Sequence, residues 1–449
     1  FRRWYTQAGT PEVNVDADYD ASQKKFKMTF TQTCNPTPGQ SKKEPFCIPV
    51  RFALLNENGD AIELQSKDVN LNDSGSEAVL ELKEKSRTLE FDNLQSRPIP
   101  SLLRGFSAPV KMSTDLSSKD LLFLMSNDSD PFNRWESAQK YLAEIILNSV
   151  KQLRTRANAA ESAESLLQSH LKGLVQAFRI VLLDSKLENA VKSQTLTLPG
   201  EVYLSEISDV IDVDGIHSVR ESLKKMIGNS LANELIPLYN ALNKTDKIGY
   251  DAESAGIRSL KNLALSYLMA TQSNESRDIC YQQFKSARTM TDEMAALTFI
   301  ANDDPTHRTQ ALDMFYKKWR DDTVVLNMWF SIQASSKLTT LEGIRSLLSH
   351  SNFNYKNPNR LRSVIGAFSS SNLVNFHQES GQGYEFLGEE IIRIDQQNPQ
   401  MAARFLTPLT KWKRYDENRQ NLMKIQLLKI MKSPNLSKNV FEITSKSLS

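Results

Sequence analysis

A small N-terminal β-sandwich followed by a large all-α superhelical domain of armadillo/HEAT-like helix pairs is the architecture this sequence predicts. Three observations predict it. The first hundred or so positions read as short strands with turns between them, with period-two alternation around Phe26, Met28 and Phe30. After about residue 113 the pattern turns helical and stays so to the end. The segments between helical stretches are short, which favours antiparallel helical neighbours and stacked pairs. The expected domains are residues 1–112 and 113–449.

In the N-terminal part, Phe26, Met28 and Phe30 alternate with Lys25, Lys27, Thr29 and Thr31, the signature of a strand with one buried face. Asn35-Pro36-Thr37-Pro38-Gly39 punctuates it. The run Cys47 to Leu55 is apolar but contains Pro49, which lacks a ladder donor, so part of it lies at an edge or bulge. Asn58-Gly59 reads as a hairpin turn, and further strands are expected at Ala78–Lys83, Thr88–Leu94 and near Pro109–Met112. Short strands with turns between them suggest a sandwich.

The helical part opens at Asp130-Pro131, where Asp can cap free N–H groups and Pro at the first position forfeits no hydrogen bond. Phe132, Trp135, Tyr141, Leu142, Ile145, Ile146 and Val150 come next near helical spacing. The same start signal recurs at Asp304-Pro305, Asn357-Pro358 and Asn398-Pro399. Amphipathic stretches run over 163–187, 219–243, 257–270 and 291–302. No strict repeat at a fixed period accompanies them.

With 55 basic and 53 acidic side chains the charge is balanced, which argues against a nucleic-acid binder. The densest basic stretch, Lys411-Trp412-Lys413-Arg414, is followed by Asp416 and Glu417 and reads as a solvated helix face. No apolar run approaches the roughly 18–20 residues of a membrane span. No signal-peptide pattern opens the chain, and a start at Phe1 fits a piece of a longer protein. Cys34, Cys47 and Cys280 form no metal-ligand spacing. Their low, odd number favours free thiols in a reducing, cytoplasmic compartment.

Chemistry is sparse. The five histidines, His170, His217, His307, His350 and His377, are scattered, with no H-E-x-x-H, and each reads as a surface or capping residue. There is neither a nucleophile elbow nor a phosphate loop. Gly381-Gln382-Gly383 reads as a loop, and the pairs Glu389-Glu390 and Asp303-Asp304 carry little information about acid/base work. One constellation has a geometric basis. If Asn398 caps a helix begun by Pro399, then Gln400 and Arg404 share a face, and Arg362 lies early in another helix. Guanidinium forks and an amide suit a peptide-binding surface, although solvated surface residues have the same pattern.

Several strings carry a family resemblance. They include Phe1-Arg2-Arg3-Trp4-Tyr5-Thr6-Gln7-Ala8-Gly9-Thr10-Pro11, Leu103-Arg104-Gly105-Phe106-Ser107-Ala108-Pro109-Val110 and Asp130-Pro131-Phe132-Asn133-Arg134-Trp135-Glu136. Leu198-Pro199-Gly200-Glu201, Asn357-Pro358-Asn359-Arg360, Asn398-Pro399-Gln400 and Lys413-Arg414-Tyr415-Asp416 extend the series in order. The chain resembles the C-terminal half of the bacterial aminopeptidase N family of zinc metallopeptidases. The resemblance implies a β-sandwich and a helical superhelix that closes over an active site held elsewhere. The G-A-M-E-N and zinc-binding H-E-x-x-H motifs of that family are absent here. The resemblance further implies no catalytic residue and no cofactor in this segment, with zinc in the parent enzyme. The expected partners are the N-terminal catalytic domain and small peptides. By that resemblance Gln400 and Arg404 match positions that face the cavity and Arg362 one near where the peptide's carboxyl side leads, and the three are the expected substrate-access residues. A free-standing helical interaction scaffold is the alternative, and an enzyme with a site of its own is a third reading.

Overall fold

In the computed structural model, which describes residues 1–65, 69–155, 162–245 and 247–449, the N-terminal region is built from short strands. After one helical turn, α1 (Arg3–Thr6), come β1 (Glu12–Asp20), β2 (Lys25–Thr33), β3 (Ile48–Leu55), β4 (Asn70–Leu71), β5 (Ala78–Leu82), β6 (Ser86–Phe91), β7 (Ile99–Leu102) and β8 (Lys111–Thr114). They form two four-stranded sheets, ordered β6-β2-β1-β8 and β4-β5-β3-β7. Pairing is antiparallel except between β1 and β8. The alternation at Phe26, Met28 and Phe30 is realised, since all three are fully buried in a core shared by the two sheets with Val50, Phe52 and Leu80. Pro49 sits where theory allows it. There β3 pairs only with β5, because its pairing with β7 begins at Phe52. The last four residues of β3 lose their alternation because Ala53 and Leu55 are buried against a second cluster containing Leu124. At Asn58-Gly59 the chain turns through Gly59 at φ +89°, a conformation glycine adopts without a Cβ clash. The strand expected at Thr88–Leu94 starts earlier and ends at Phe91, because Asn93 turns left-handed (φ +64°) and Leu94 N–H bonds Lys24 O instead.

The helices are α2 (Ser118–Asn127), α3 (Pro131–Thr155), α4 (Ala163–Leu183), α5 (Asn189–Thr195), α6 (Glu201–Ile207), α7 (Val213–Asn243), α8 (Ala252–Ala270), α9 (Asn274–Ser286), α10 (Met290–Asp303) and α11 (Arg308–Trp319). They continue as α12 (Thr323–Ser335), α13 (Leu341–Leu348), α14 (Pro358–Leu361), a π-helical turn (Arg362–Gly366), α15 (Ala367–Ser371), α16 (Leu373–Phe376) and α17 (Gln382–Asp395). The series ends with α18 (Pro399–Phe405), α19 (Thr407–Thr410), a 3-10 turn (Trp412–Arg414), α20 (Glu417–Met431) and α21 (Lys438–Leu448). Two compact units result: Phe1–Glu144 with Lys172–Thr197, and Ile145–Leu171 with Leu198–Ser449.

Three of the four capping signals act as expected. Asp130 accepts from Asn133 N–H at 2.9 Å, Asn357 from Asn359 and Arg360 N–H, and Asn398 from Met401 N–H. The fourth is displaced. Asp304 accepts from Thr306 and His307 N–H across a turn, and α11 begins only at Arg308. Two further expectations change. Gly381 (φ +73°) is the residue before α17, and Gly383 belongs to that helix's first turn. A Cβ on Gly383 would stand 2.1 Å from Phe376 O, so the close approach, not a loop, requires glycine. The basic stretch at 411–414 is no solvated helix face. Trp412 is buried, and Arg414 donates to the carbonyls of Ser205, Glu206 and Ser208 at the end of α6. The three cysteines are free thiols.

One buried network organises the first unit. Arg104, 4% exposed, sits in a turn where Leu103, Gly105 and Phe106 all take positive φ (+55°, +60° and +53°). Its guanidinium donates to Glu77 Oε1 (3.0 Å), Ser101 Oγ (2.8 Å), Asp128 Oδ1 (2.8 Å) and Ser129 Oγ (2.7 Å). Left-handed backbone at bulky residues costs roughly 1–2 kcal/mol each and persists only where the surroundings over-determine it. Here the four-bonded guanidinium supplies that determination, helped by Gly105 N–H on Asp130 Oδ2 (2.9 Å).

Candidate functional site

Arg362, Gln400 and Arg404 are all exposed. Asn398 and Pro399 start α18 as the sequence predicts, which places Gln400 and Arg404 one turn apart on that helix. Arg362 opens the π-helical turn, where Ala367 N–H reaches back five residues to Arg362 O. Such turns recur at functional positions because they re-aim side chains. The guanidinium of Arg362 donates to Asn359 Oδ1 at 2.7 Å. The π-turn and α18 meet where a Cβ on Gly366 would lie 3.3 Å from Phe405 Cε1. The structure thus brings together the two elements that carry the three residues.

A second arrangement lies in the helical unit. A cavity of about 400 Å³ is walled by α6 and α7 on one side and by the ends of α10, α12 and α15 on the other. His217, Arg220, Glu221 and Lys224 reach it from α7, at the spacing that lines one helix face. Glu201 comes from α6, Asp303 from α10, Lys337 from just past α12, and Ser370 and Ser371 from α15. None of Arg362, Gln400 and Arg404 is on this wall. The frame is rigid. Asn372 Nδ2 donates to the carbonyls of Ala334, Ser336 and Thr339, Ser336 Oγ donates to Ala301 O, and Asn375 Nδ2 donates to Lys337 O.

The charges on the wall are paired, with one exception. Glu221 accepts from Arg220 Nη1 (3.1 Å) and Lys337 Nζ (3.0 Å), and Lys337 also reaches Asp303 Oδ1 (2.7 Å). Burial alone would raise the Glu221 pKa, but Lys337 and Lys224 more than reverse this and pull it down to about 2. For Lys337, burial lowers the pKa, yet Glu221 and Asp303 hold it above the ordinary lysine value. His217 Nδ1 lies 2.8 Å from Glu201 Oε1, and that carboxylate outweighs the burial that would otherwise lower its pKa, leaving it raised. Lys224 is half-buried, and its ammonium makes no hydrogen bond or ion-pair contact with a described residue. Desolvation lowers its pKa, against the more distant attraction of Glu221.

His377 departs from the surface or capping role expected of it, whereas His307 stands at the start of α11. His377 is 2% exposed, stacked on Tyr415, with Nδ1 2.9 Å from Tyr384 Oη. Burial pushes its pKa down to about 3, so it is a neutral core residue. His307 Nδ1 meets Asp304 Oδ2 at 2.6 Å, and His350 packs among Tyr316, Trp329 and Phe330. Among the described residues, no three His, Cys, Asp or Glu side chains converge as a metal site would need. Sequence reading missed the α7 stripe, although the spacing of His217, Arg220, Glu221 and Lys224 was its signal.

Comparison with known proteins gives these features a context. Residues 118–449 match a family described as a domain of unknown function (DUF3458_C) with ARM repeats, and residues 9–115 match DUF3458, with an Ig-like fold. The whole chain is similar to aminopeptidase N of Escherichia coli (strain K12), 36% identical, and of Haemophilus influenzae, 35% identical. In each case the match covers 100% of this chain and 50% of the relative. Among solved structures it is similar to Legionella pneumophila aminopeptidase A in complex with aspartic acid. That match has a TM-score of 0.81 and 26% identity over 99% of this chain and 49% of that one. The chain spans about half the length of the relatives it matches. An Ig-like β domain followed by a large helical ARM-type domain, read from the sequence and seen in the fold, is shared with half of each aminopeptidase N, and the chain belongs to that DUF3458 family.

Proposed function

We propose that this chain is the non-catalytic C-terminal half of a zinc-dependent aminopeptidase N that removes N-terminal residues from small peptides. Zinc and the catalytic residues reside in the other half. This half caps the active site, shapes the substrate cavity and gates access, with Arg362, Gln400 and Arg404 as peptide-facing residues. The observation that carries the reading is the unbroken similarity, 35–36% identical, to half of each aminopeptidase N. The exposure of the three residues and the meeting of their elements at Gly366 and Phe405 support the gating role. Three free thiols support a reducing compartment such as the cytoplasm.

The test is to assay this chain for zinc and for cleavage of an alanyl chromogenic substrate, alone and mixed with a separately made N-terminal half. Turnover is expected only in the mixture, and zinc-dependent turnover by this chain alone overturns the reading. Within a full-length enzyme, Arg404→Ala should alter KM or peptide preference at normal zinc content. Unchanged kinetics across a peptide series would remove Arg404 from the gate.

A further inference from the structure

We propose that the cavity between α7 and the ends of α10, α12 and α15 is a binding site for a free carboxylate, with Lys224 as its principal donor. Four observations lead there. The first is the leftover cation. Each carboxylate on the wall already has a partner, Glu201 in His217, Glu221 in Arg220 and Lys337, and Asp303 in Lys337. Lys224 has none among the described residues, so its ammonium, which faces the cavity, is open to an acceptor from outside the chain.

The second observation disposes of the simplest structural role for Lys224. Cations often gather at helix C-termini to satisfy terminal carbonyls. Here those carbonyls are already engaged: Ala301 O by Ser336 Oγ and Arg308 Nε, and Ala334 O and Ser336 O by the amide of Asn372. Third, the cavity, at about 400 Å³, is large enough for a small organic molecule rather than a single ion, and its walls are pinned by these bonds. Fourth, Ser370 and Ser371 present exposed hydroxyls to the same space, further donors for a carboxylate oxygen.

Two sources carry this group: the C-terminus of a peptide and a free amino acid. The carboxylate site stands on its lining alone. Naming peptides as its source rests on the aminopeptidase reading. Calorimetric titration of this chain with trialanine, trialanine amide and alanine separates the cases. Trialanine is expected to bind about ten- to a hundredfold more tightly than its amide, the value of one charge-assisted hydrogen bond. Lys224→Gln should abolish that preference and Lys224→Arg should keep it. Binding of alanine as tight as trialanine assigns the site to free amino acids, and weaker binding assigns it to peptide termini. Equal affinity for trialanine and its amide on the unaltered chain overturns the proposal, and it decides the matter even if a variant fails to fold. No catalytic half is present in this experiment, so its outcome is independent of the mixing assay.

Discussion

Two charged clusters, one in each unit, make opposite use of similar residues. Around Arg104 the guanidinium meets Glu77, Asp128 and two serine hydroxyls, so each of its three nitrogens is engaged within the fold. Around Lys224 three carboxylates and three other cations satisfy one another, and one ammonium remains beside a cavity. A buried cation engaged at every nitrogen fixes backbone, here the left-handed turn at Leu103 to Phe106. An unsaturated one at a cavity retains capacity for something outside the chain. Composition does not separate the two; whether the cation is held by acceptors of the fold does.

The sharpest way to break this contrast is to remove one member of each cluster. Asp128→Ala takes from buried Arg104 the more deeply buried of its two carboxylates and is expected to lower the unfolding free energy by about 3–5 kcal/mol. Lys224→Gln removes an unpaired cation and should change stability by less than about 1 kcal/mol. Urea denaturation of both reads the difference directly, and equal losses would show that Lys224 is as structural as Asp128.

Acid should expose the buried His377. Its folded pKa, about 3, lies below that of the unfolded chain, so the unfolded state takes up a proton first. Stability is therefore expected to fall as the pH drops from about 6.5 towards 3, by at most about 1.4 kcal/mol per pH unit for one proton. In His377→Gln that slope should shrink by about one proton, a result readable from denaturation curves taken across this range.

Packing offers a smaller effect. A Cβ on Gly228 would lie 2.3 Å from Tyr267 O, where α7 and α8 touch. Gly228→Ala should cost about 1–3 kcal/mol through forced separation of the helices, visible as a lower melting temperature. An unaltered melting temperature would mean that the pair can separate freely.

The smallest effect is expected from Glu201→Gln. The His217 pKa is raised in the folded state, so its pairing stabilises most below the ordinary histidine value and is lost as pH rises through the folded one. Removing the carboxylate should cost about 0.5–1 kcal/mol near pH 6 and little near pH 8. An NMR titration in which the His217 pKa stays put would deny the pairing.

Legibility in the sequence tracked the range of the interactions. The alternation in β2, the Asp and Asn caps and the long amphipathic stretches are local, and they stand in the structure where the pattern puts them. Asp304 misled because its side chain caps a turn before α11 rather than the helix itself. Gly383 misled because its requirement comes from Phe376 O, a contact invisible to turn chemistry. The access residues entered through resemblance and the sharing of a helix face. The cavity did not enter at all, since Glu201, Lys224, Asp303, Lys337 and Ser371 are contributed by five separate segments.

By itself the sequence determined the order of β before α, the buried faces and most helix starts, because each rests on periodicity or on a side chain bonding its own neighbourhood. Only the tertiary structure decided which charges are spent and which is spare. That depends on partners more than a hundred residues apart, as Lys337 and Glu221 are, and no local pattern records such a meeting.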